Sequence, residues 1–263
     1  MIQKPLVSVI MNCHNGETFL KESLKSLLFQ TYSNWELIFW DNLSEDNSKK
    51  ILNEFSDKRI KYFLSEKFTN LYEARNLAIE RAKGKYITFL DTDDLWVKNK
   101  LEKQLNFLNE NSEFKIVYSN YFIIDEIKKK KYIMHKKLLP SGDITQDLLN
   151  NYVLGITSVI LEKQIFNKHV FQKNYNVIGD FDFFIKISQI YKIGCIQDPL
   201  DYYRVHKNSY SIKRSKIYIN ELKNWITNNT KQLKERGYNI NSQKVFLLKL
   251  KIKSFLRNIF NKR

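Results

Sequence analysis

Residues 6–90 alternate short apolar runs with helically spaced segments, and that alternation leaves few folds open. Leu6–Met11 reads as a buried strand, and Trp35–Trp40, Ile60–Leu64 and Tyr86–Leu90 read as further strands. Between them, Glu17–Phe29 carries Phe19, Leu20, Leu24, Leu27 and Leu28 at helical spacing. Ser44–Phe55 puts Ile51, Leu52 and Phe55 on one face, and Asn70 with Glu73 resembles a capping box opening a helix to Ala82, ended by Gly84. Strands joined through helices by short loops run parallel and are covered on their faces. The expected class is therefore α/β, with a Rossmann-like, mostly parallel central sheet flanked by helices.

The pattern then changes. Lys98–Asn109, Ile144–Asn151 and Phe181–Tyr191 read as helices. Lys115–Ile124, Tyr132–Leu138, Thr157–Leu161, Gly194–Gln197 and Tyr202–Val205 read as extended, with the basic run Lys128–Lys131 at a solvated hairpin tip. From Ser215 two helices follow, broken near Gly237. The expected organisation is one domain over residues 1–210 and a basic helical appendage over 211–263.

Charge separates these two parts. The chain carries a formal +16, yet residues 204–263 hold 16 Lys or Arg against only Glu221 and Glu235. The rest is nearly neutral, so an anionic surface, membrane or nucleic acid, is the partner expected of the tail. No run of 18 apolar residues occurs, which excludes a spanning helix. The N-terminal apolar run is short and leads straight into Asn12–Asn15, unlike a secretory signal, so the expected compartment is the cytoplasm. Cys13 and Cys195 alone do not make a disulfide framework.

In open α/β sheets, ligands bind beyond the carboxyl ends of the strands. Here those ends carry Asn12–Gly16, Asp41 and Asp91-Thr92-Asp93-Asp94. Three carboxylates within four residues repel one another unless something offsets them. Mg²⁺ or Mn²⁺ with the oxygens of a diphosphate would do so, whereas a solvated loop or a helix cap by Asp94 is the plainer alternative. Asp41 can accept hydrogen bonds from a base or ribose, or cap the next helix. Arg75 could reach a nucleotide or serve as an ion-pair partner. Asp180 and Asp182 follow Gly179 at a helix start, where carboxylates suit the helix dipole; one of them could equally be a general base.

Four segments together resemble glycosyltransferase family 2. VSVIMNCHNGETFLKESLKSLLFQTYSNWELIFWDNLSEDNS, residues 7–48, is similar to its nucleotide-binding opening. ARNLAIERAKGKYITFLDTDDLW, residues 74–96, resembles its second signature with the DxD motif. GDFDFFIK, residues 179–186, resembles the segment of the catalytic base, and YYRVHKNSYS, residues 202–211, a closing Tyr-Arg-x-His motif. Departures are Asn42-Leu43 where Asp-Gly is usual, Gly179 where Glu is frequent and Lys186 where Arg is common.

The resemblance implies a GT-A fold and inverting transfer of a sugar from a nucleotide-diphosphate donor, usually UDP-linked, to an acceptor hydroxyl. It implies that Asp41 contacts the uracil or ribose and that Arg75 and Asn15 lie in the nucleotide-sugar site. Asp91 would contact the ribose or the metal, Asp93 would ligate Mn²⁺ or Mg²⁺, His206 would approach the diphosphate or metal, and Asp180 would be the general base.

The expected acceptor is a glycan or a lipid-linked sugar of bacterial cell-surface polysaccharide, lipopolysaccharide or capsule. Residues 244–263 form a basic amphipathic helix with Val245, Leu248, Ile252, Phe255, Leu256, Ile259 and Phe260 in one stripe and Lys251, Arg257 and Lys262 off it. That stripe suits either an anionic membrane surface, at the inner face of the envelope, or packing on the domain. The alternatives are a nucleotidyltransferase, a non-catalytic relative that binds membrane or nucleic acid, or a plain nucleic-acid binder. The first lacks an Arg- and Lys-bearing glycine-rich loop after its first strand, and nucleic acid alone leaves the acidic cluster unexplained.

Overall fold

The computed structural model describes residues 4–209 and 214–260. Four parallel strands, β1 (Val7–Cys13), β2 (Trp35–Asp41), β3 (Ile60–Leu64) and β4 (Tyr86–Phe89), lie in the order β3-β2-β1-β4. The sheet continues through β8 (Ile160–Glu162), antiparallel to β4, then β6 (Ile116–Asp125), β9 (Ile193–Val205) and the two-residue β5 (Leu95–Trp96). A short strand, β7 (Lys130–Ile133), pairs with β6 as a hairpin. The sheet is mixed: parallel where helices cross over, antiparallel where the second half folds back.

Strand β1 shows why its sequence lacks a regular polar alternation. Val7, Val9 and Met11 face one core, together with Leu20, Leu24 and Leu27 of α1 (Glu17–Leu28) and Leu101, Leu105 and Leu108 of α4 (Lys100–Glu110). Ile10 points to the opposite core, with Ala74, Ala78 and Ile79 of α3 (Leu71–Arg81). A strand buried on both faces has no polar alternation to show. Helices α5 (Thr145–Asn150), α6 (Gly179–Ser188), α7 (Ser215–Glu235) and α8 (Asn241–Phe260) also join this second core, through Leu148, Phe184, Trp225 and Leu247 among others. The basic C-terminal helices thus share the core of the sheet.

Asn70 caps α3, its Oδ1 accepting from Glu73 N (2.9 Å). The helix expected at Ser44–Phe55 is shorter, α2 (Ser48–Asn53). Residues 44–47 are tied instead into turns, with Ser44 N donating to Asp41 Oδ1 and Asn47 N to Glu17 Oε2. The strand expected at 157–161 begins as a 3₁₀ turn (Ile156–Ser158), and the two stretches near 194–205 join as the single irregular β9. Lys129, at the expected hairpin tip, has φ +53°. The side chains of Leu256, Arg257, Ile259 and Phe260, and all of Tyr210, Ser211 and Lys262, lie outside the described residues. No helix among the described residues is long and apolar enough to cross a membrane.

Candidate active site

The carboxyl ends of β1, β2 and β4 meet at one edge, and a cavity of about 560 Å³ opens there. Its walls include Asn12–Gly16, Thr69–Leu71, Asp91–Asp93 and Tyr203 with His206–Ser209. Three loops are stitched together to make this edge. Asn15, at φ +57°, accepts from Glu45 N through Oδ1 (2.8 Å), while its own N donates to Ser44 Oγ (3.0 Å). Gly16 lies so close to the acidic loop that a Cβ there would stand 2.9 Å from Thr92 Oγ1. Asn42 binds Thr69 through N, Oγ1 and O, tying the β2 loop to the start of α3. Leu43 keeps a left-handed backbone, φ +61°, where the family pattern has glycine, so the turn survives at some steric cost.

The acidic loop divides its carboxylates among three tasks. Asp91 receives Arg75 Nη2 on both oxygens (2.9 and 3.2 Å). Asp93, with its side chain one-third exposed, pairs through Oδ2 with His206 Nε2 at 2.9 Å. Asp94 is buried and accepts the Arg204 N–H through Oδ1 (2.8 Å), so it anchors the loop to β9 and does not cap a helix. Burial, and then the charge of Asp91, pushes the Asp93 carboxyl up; burial with Asp93 and Asp91 pushes Asp94 well up. Three carboxylates thus crowd one loop, with Arg75 on Asp91, His206 on Asp93 and a backbone N–H on Asp94.

Sequence reasoning missed Arg204, whose only signal was its place in Tyr-Arg-x-His. Nearly fully buried, it donates through Nε to the Asp93 carbonyl (2.8 Å) and pairs with Glu126 (2.6 Å) and Glu22 (2.7 Å). Arg204 and His206 together hold the acidic loop, backbone and side chain respectively.

Asp41 and Arg75 stand behind the cavity wall. Asp41 is 2% exposed; Oδ1 accepts from Ser44 N (2.7 Å) and Oδ2 from the Tyr62 hydroxyl (2.9 Å). Burial and that bond push Tyr62 up to about 12. Arg75 is 3% exposed, with its guanidinium committed to Asp91 and set 5.5 Å from the Tyr72 ring centroid. Both are expected nucleotide contacts; here Asp41 meets Ser44 N and the Tyr62 hydroxyl, and Arg75 Nη2 meets Asp91.

Asp180 lies in the first turn of α6, and its Oδ1 accepts from Tyr72 Oη (3.0 Å), which also donates to the Val177 carbonyl (2.8 Å). One hydroxyl proton is shared between two acceptors, so neither is fully served. Burial raises the Asp180 carboxyl above its ordinary range, and the nearby Arg75 charge opposes that rise. Asp91, Arg75, Tyr72 and Asp180 thus form one chain of contacts. Asp182, in contrast, is taken up by Trp225 Nε1 (3.0 Å) and Lys186 Nζ (2.8 Å), which makes it the structural member of the pair.

Helix α7 shapes this corner. Glu221, one of two acidic residues in the basic tail, accepts from Asn176 N and Val177 N (2.7 and 2.9 Å) and from Ile178 N (3.2 Å). It caps α6 in trans, immediately before Asp180. Glu221→Gln turns one acceptor into a donor facing N–H groups. The expected result is a loss of about 1.5–3 kcal/mol in denaturant unfolding.

The family model described as glycosyl transferase family 2 matches residues 8–178. The chain belongs to this family. It is 39% identical over 166 residues to the UDP-Glc:alpha-D-GlcNAc-diphosphoundecaprenol beta-1,3-glucosyltransferase WfgD of Escherichia coli. That match covers 63% of this chain and 64% of WfgD, so the chain spans just under two thirds of that relative. Among solved structures, S. aureus TarS 1-349 in complex with UDP-GlcNAc matches with a TM-score of 0.64, at 17% identity, over 84% of this chain and 66% of that one. The mannosyltransferase PcManGT of Pyrobaculum calidifontis, in complex with GDP-Man and Mn²⁺, matches with a TM-score of 0.64 at 15% identity over 86% and 65%. The curled mixed sheet flanked by helices is the GT-A fold of these neighbours.

Proposed function

We propose that this chain is an inverting glycosyltransferase that moves a sugar from a UDP-linked donor to an acceptor hydroxyl in bacterial cell-surface polysaccharide synthesis. The observation that carries the proposal is the meeting of the acidic Asp91–Asp93 loop and Asn12–Gly16 on one cavity, with Asp180 linked to that loop through Arg75 and Tyr72. WfgD, a UDP-Glc:alpha-D-GlcNAc-diphosphoundecaprenol glucosyltransferase by name, favours a lipid-linked acceptor.

A divalent cation, Mn²⁺ or Mg²⁺, suits these residues. No group of three or more His, Cys, Asp or Glu side chains poised for a metal occurs among the described residues. Mg²⁺-type sites need fewer, because they take one or two carboxylates and fill the rest with water and phosphate oxygens. Asp93, partly exposed and raised by its acidic neighbour, is the carboxylate to hold it, with the Asp91 charge beside it and His206 orienting Asp93. Bound there, the cation would neutralise the charge that develops on the departing diphosphate.

The rest of the chemistry falls to the chain. Asn15, Asp91 and His206 bound the donor, and Asp41 and Arg75 support that wall from behind. Asp180 takes the proton of the acceptor hydroxyl as its oxygen forms the new bond to the anomeric carbon and the bond to the diphosphate breaks. One displacement from the opposite face inverts the configuration.

Calorimetric titration of UDP and GDP, with and without Mn²⁺, tests the donor site. UDP binding that Mn²⁺ strengthens is expected. Folded protein that binds neither nucleotide under any metal condition would overturn the proposal.

A further inference from the structure

Helix α8 carries apolar side chains on two opposite faces. On the inner face Leu247 is buried and Leu250 packs against the main core, while Gln243 Nε2 donates to the Leu149 carbonyl (2.9 Å). These contacts fix α8 against the domain. On the outer face Val245, Leu248, Ile252 and Phe255 are 50%, 58%, 51% and 66% exposed. Of the stripe read from the sequence as either packed or membrane-facing, the described side chains of Val245, Leu248, Ile252 and Phe255 are therefore open, and Leu247 and Leu250 do the packing.

Charge indicates what covers it. At about 100° per residue, Lys244 and Lys251 flank the open stripe on one side, and Lys249 and Lys253 flank it on the other. All four lysines are exposed, and no Asp or Glu occurs from Arg236 to Arg263. An apolar ridge on a convex helix, edged by long cationic side chains, matches the boundary of an anionic bilayer. The apolar groups reach the acyl edge, and the lysine stems lie along them while their ammonium groups stay among phosphates. Nucleic acid would use the lysines and leave the ridge in water.

We infer that the outer face of α8 docks this protein onto membranes rich in anionic phospholipid. The inference does not depend on the proposed transferase activity, since vesicle binding is read without donor or acceptor. Full-length protein is sedimented with phosphatidylglycerol vesicles and with pure phosphatidylcholine vesicles. Binding to the anionic vesicles is expected to exceed binding to phosphatidylcholine. The Leu248→Asn/Ile252→Asn/Phe255→Asn variant changes only exposed side chains and is expected to bind more than about tenfold more weakly. Lys249→Glu/Lys251→Glu is expected to weaken binding as well, and to do so most at low salt. Anionic-vesicle binding left unchanged by the apolar variant overturns the inference. So does a wild-type preference for a random-sequence DNA duplex over the vesicles.

Discussion

Asp180→Asn is expected to lower kcat for sugar transfer by about 10²–10⁴ while leaving UDP affinity unchanged. The carboxylate is held by Tyr72 and lies near Arg75, and it is not among the residues that line the cavity, so its loss is expected to remove a proton acceptor and no donor contact. Asn keeps the shape and can still accept the Tyr72 hydrogen bond.

The pH profile carries the same signature. Burial raises the folded-state pKa of Asp180, so transfer by the wild type should fall as pH drops through a value above the ordinary carboxylate range of about 3.9. The stability sign follows. A carboxyl whose folded pKa is raised favours the folded state when protonated, and that contribution is lost as pH rises through the folded pKa. At neutral pH the ionised Asp180 therefore costs stability, and the Asn variant should melt no lower than wild type. A folded Asp180→Asn protein with near-normal kcat would remove the assignment. A variant whose UDP affinity falls with its rate would move Asp180 into the donor site.

Much of this architecture was legible because its signals are local. Strands buried on both faces give apolar runs without regular polar alternation, and Asn70 declares a helix start by a bond three residues away. The acidic loop was legible because like charges at such spacing need a reason. What escaped reading depends on partners distant in sequence. Arg204 acts on residues 93, 94, 22 and 126, and Glu221 caps a segment more than forty residues earlier. Nothing in a periodicity distinguishes Asp180 from Asp182; the difference is that Trp225, brought over by α7, takes Asp182. The open face of α8 escaped for a related reason. A helix that is apolar on two faces does not state which one packs.

Asp93→Ala is expected to abolish the Mn²⁺-dependent part of UDP binding, with a loss of at least about 10–100-fold in affinity when Mn²⁺ is present. Among the three carboxylates of the loop, Asp91 is bound by Arg75 on both oxygens and Asp94 is buried against the Arg204 backbone. Asp93 alone is both partly exposed on the cavity and held by a single side-chain partner, His206, through one oxygen. Its second oxygen is the one left for a cation. Removing the carboxylate also relieves repulsion from Asp91, so the metal-free variant should melt at or above the wild-type temperature. Wild type, in contrast, should gain thermal stability as Mn²⁺ and UDP are added together, following mass action. The two melts separate a metal role from a structural one. If Asp93 merely anchors His206, the variant melts lower and keeps its Mn²⁺ response. If it holds the cation, the variant melts as high or higher and the response disappears.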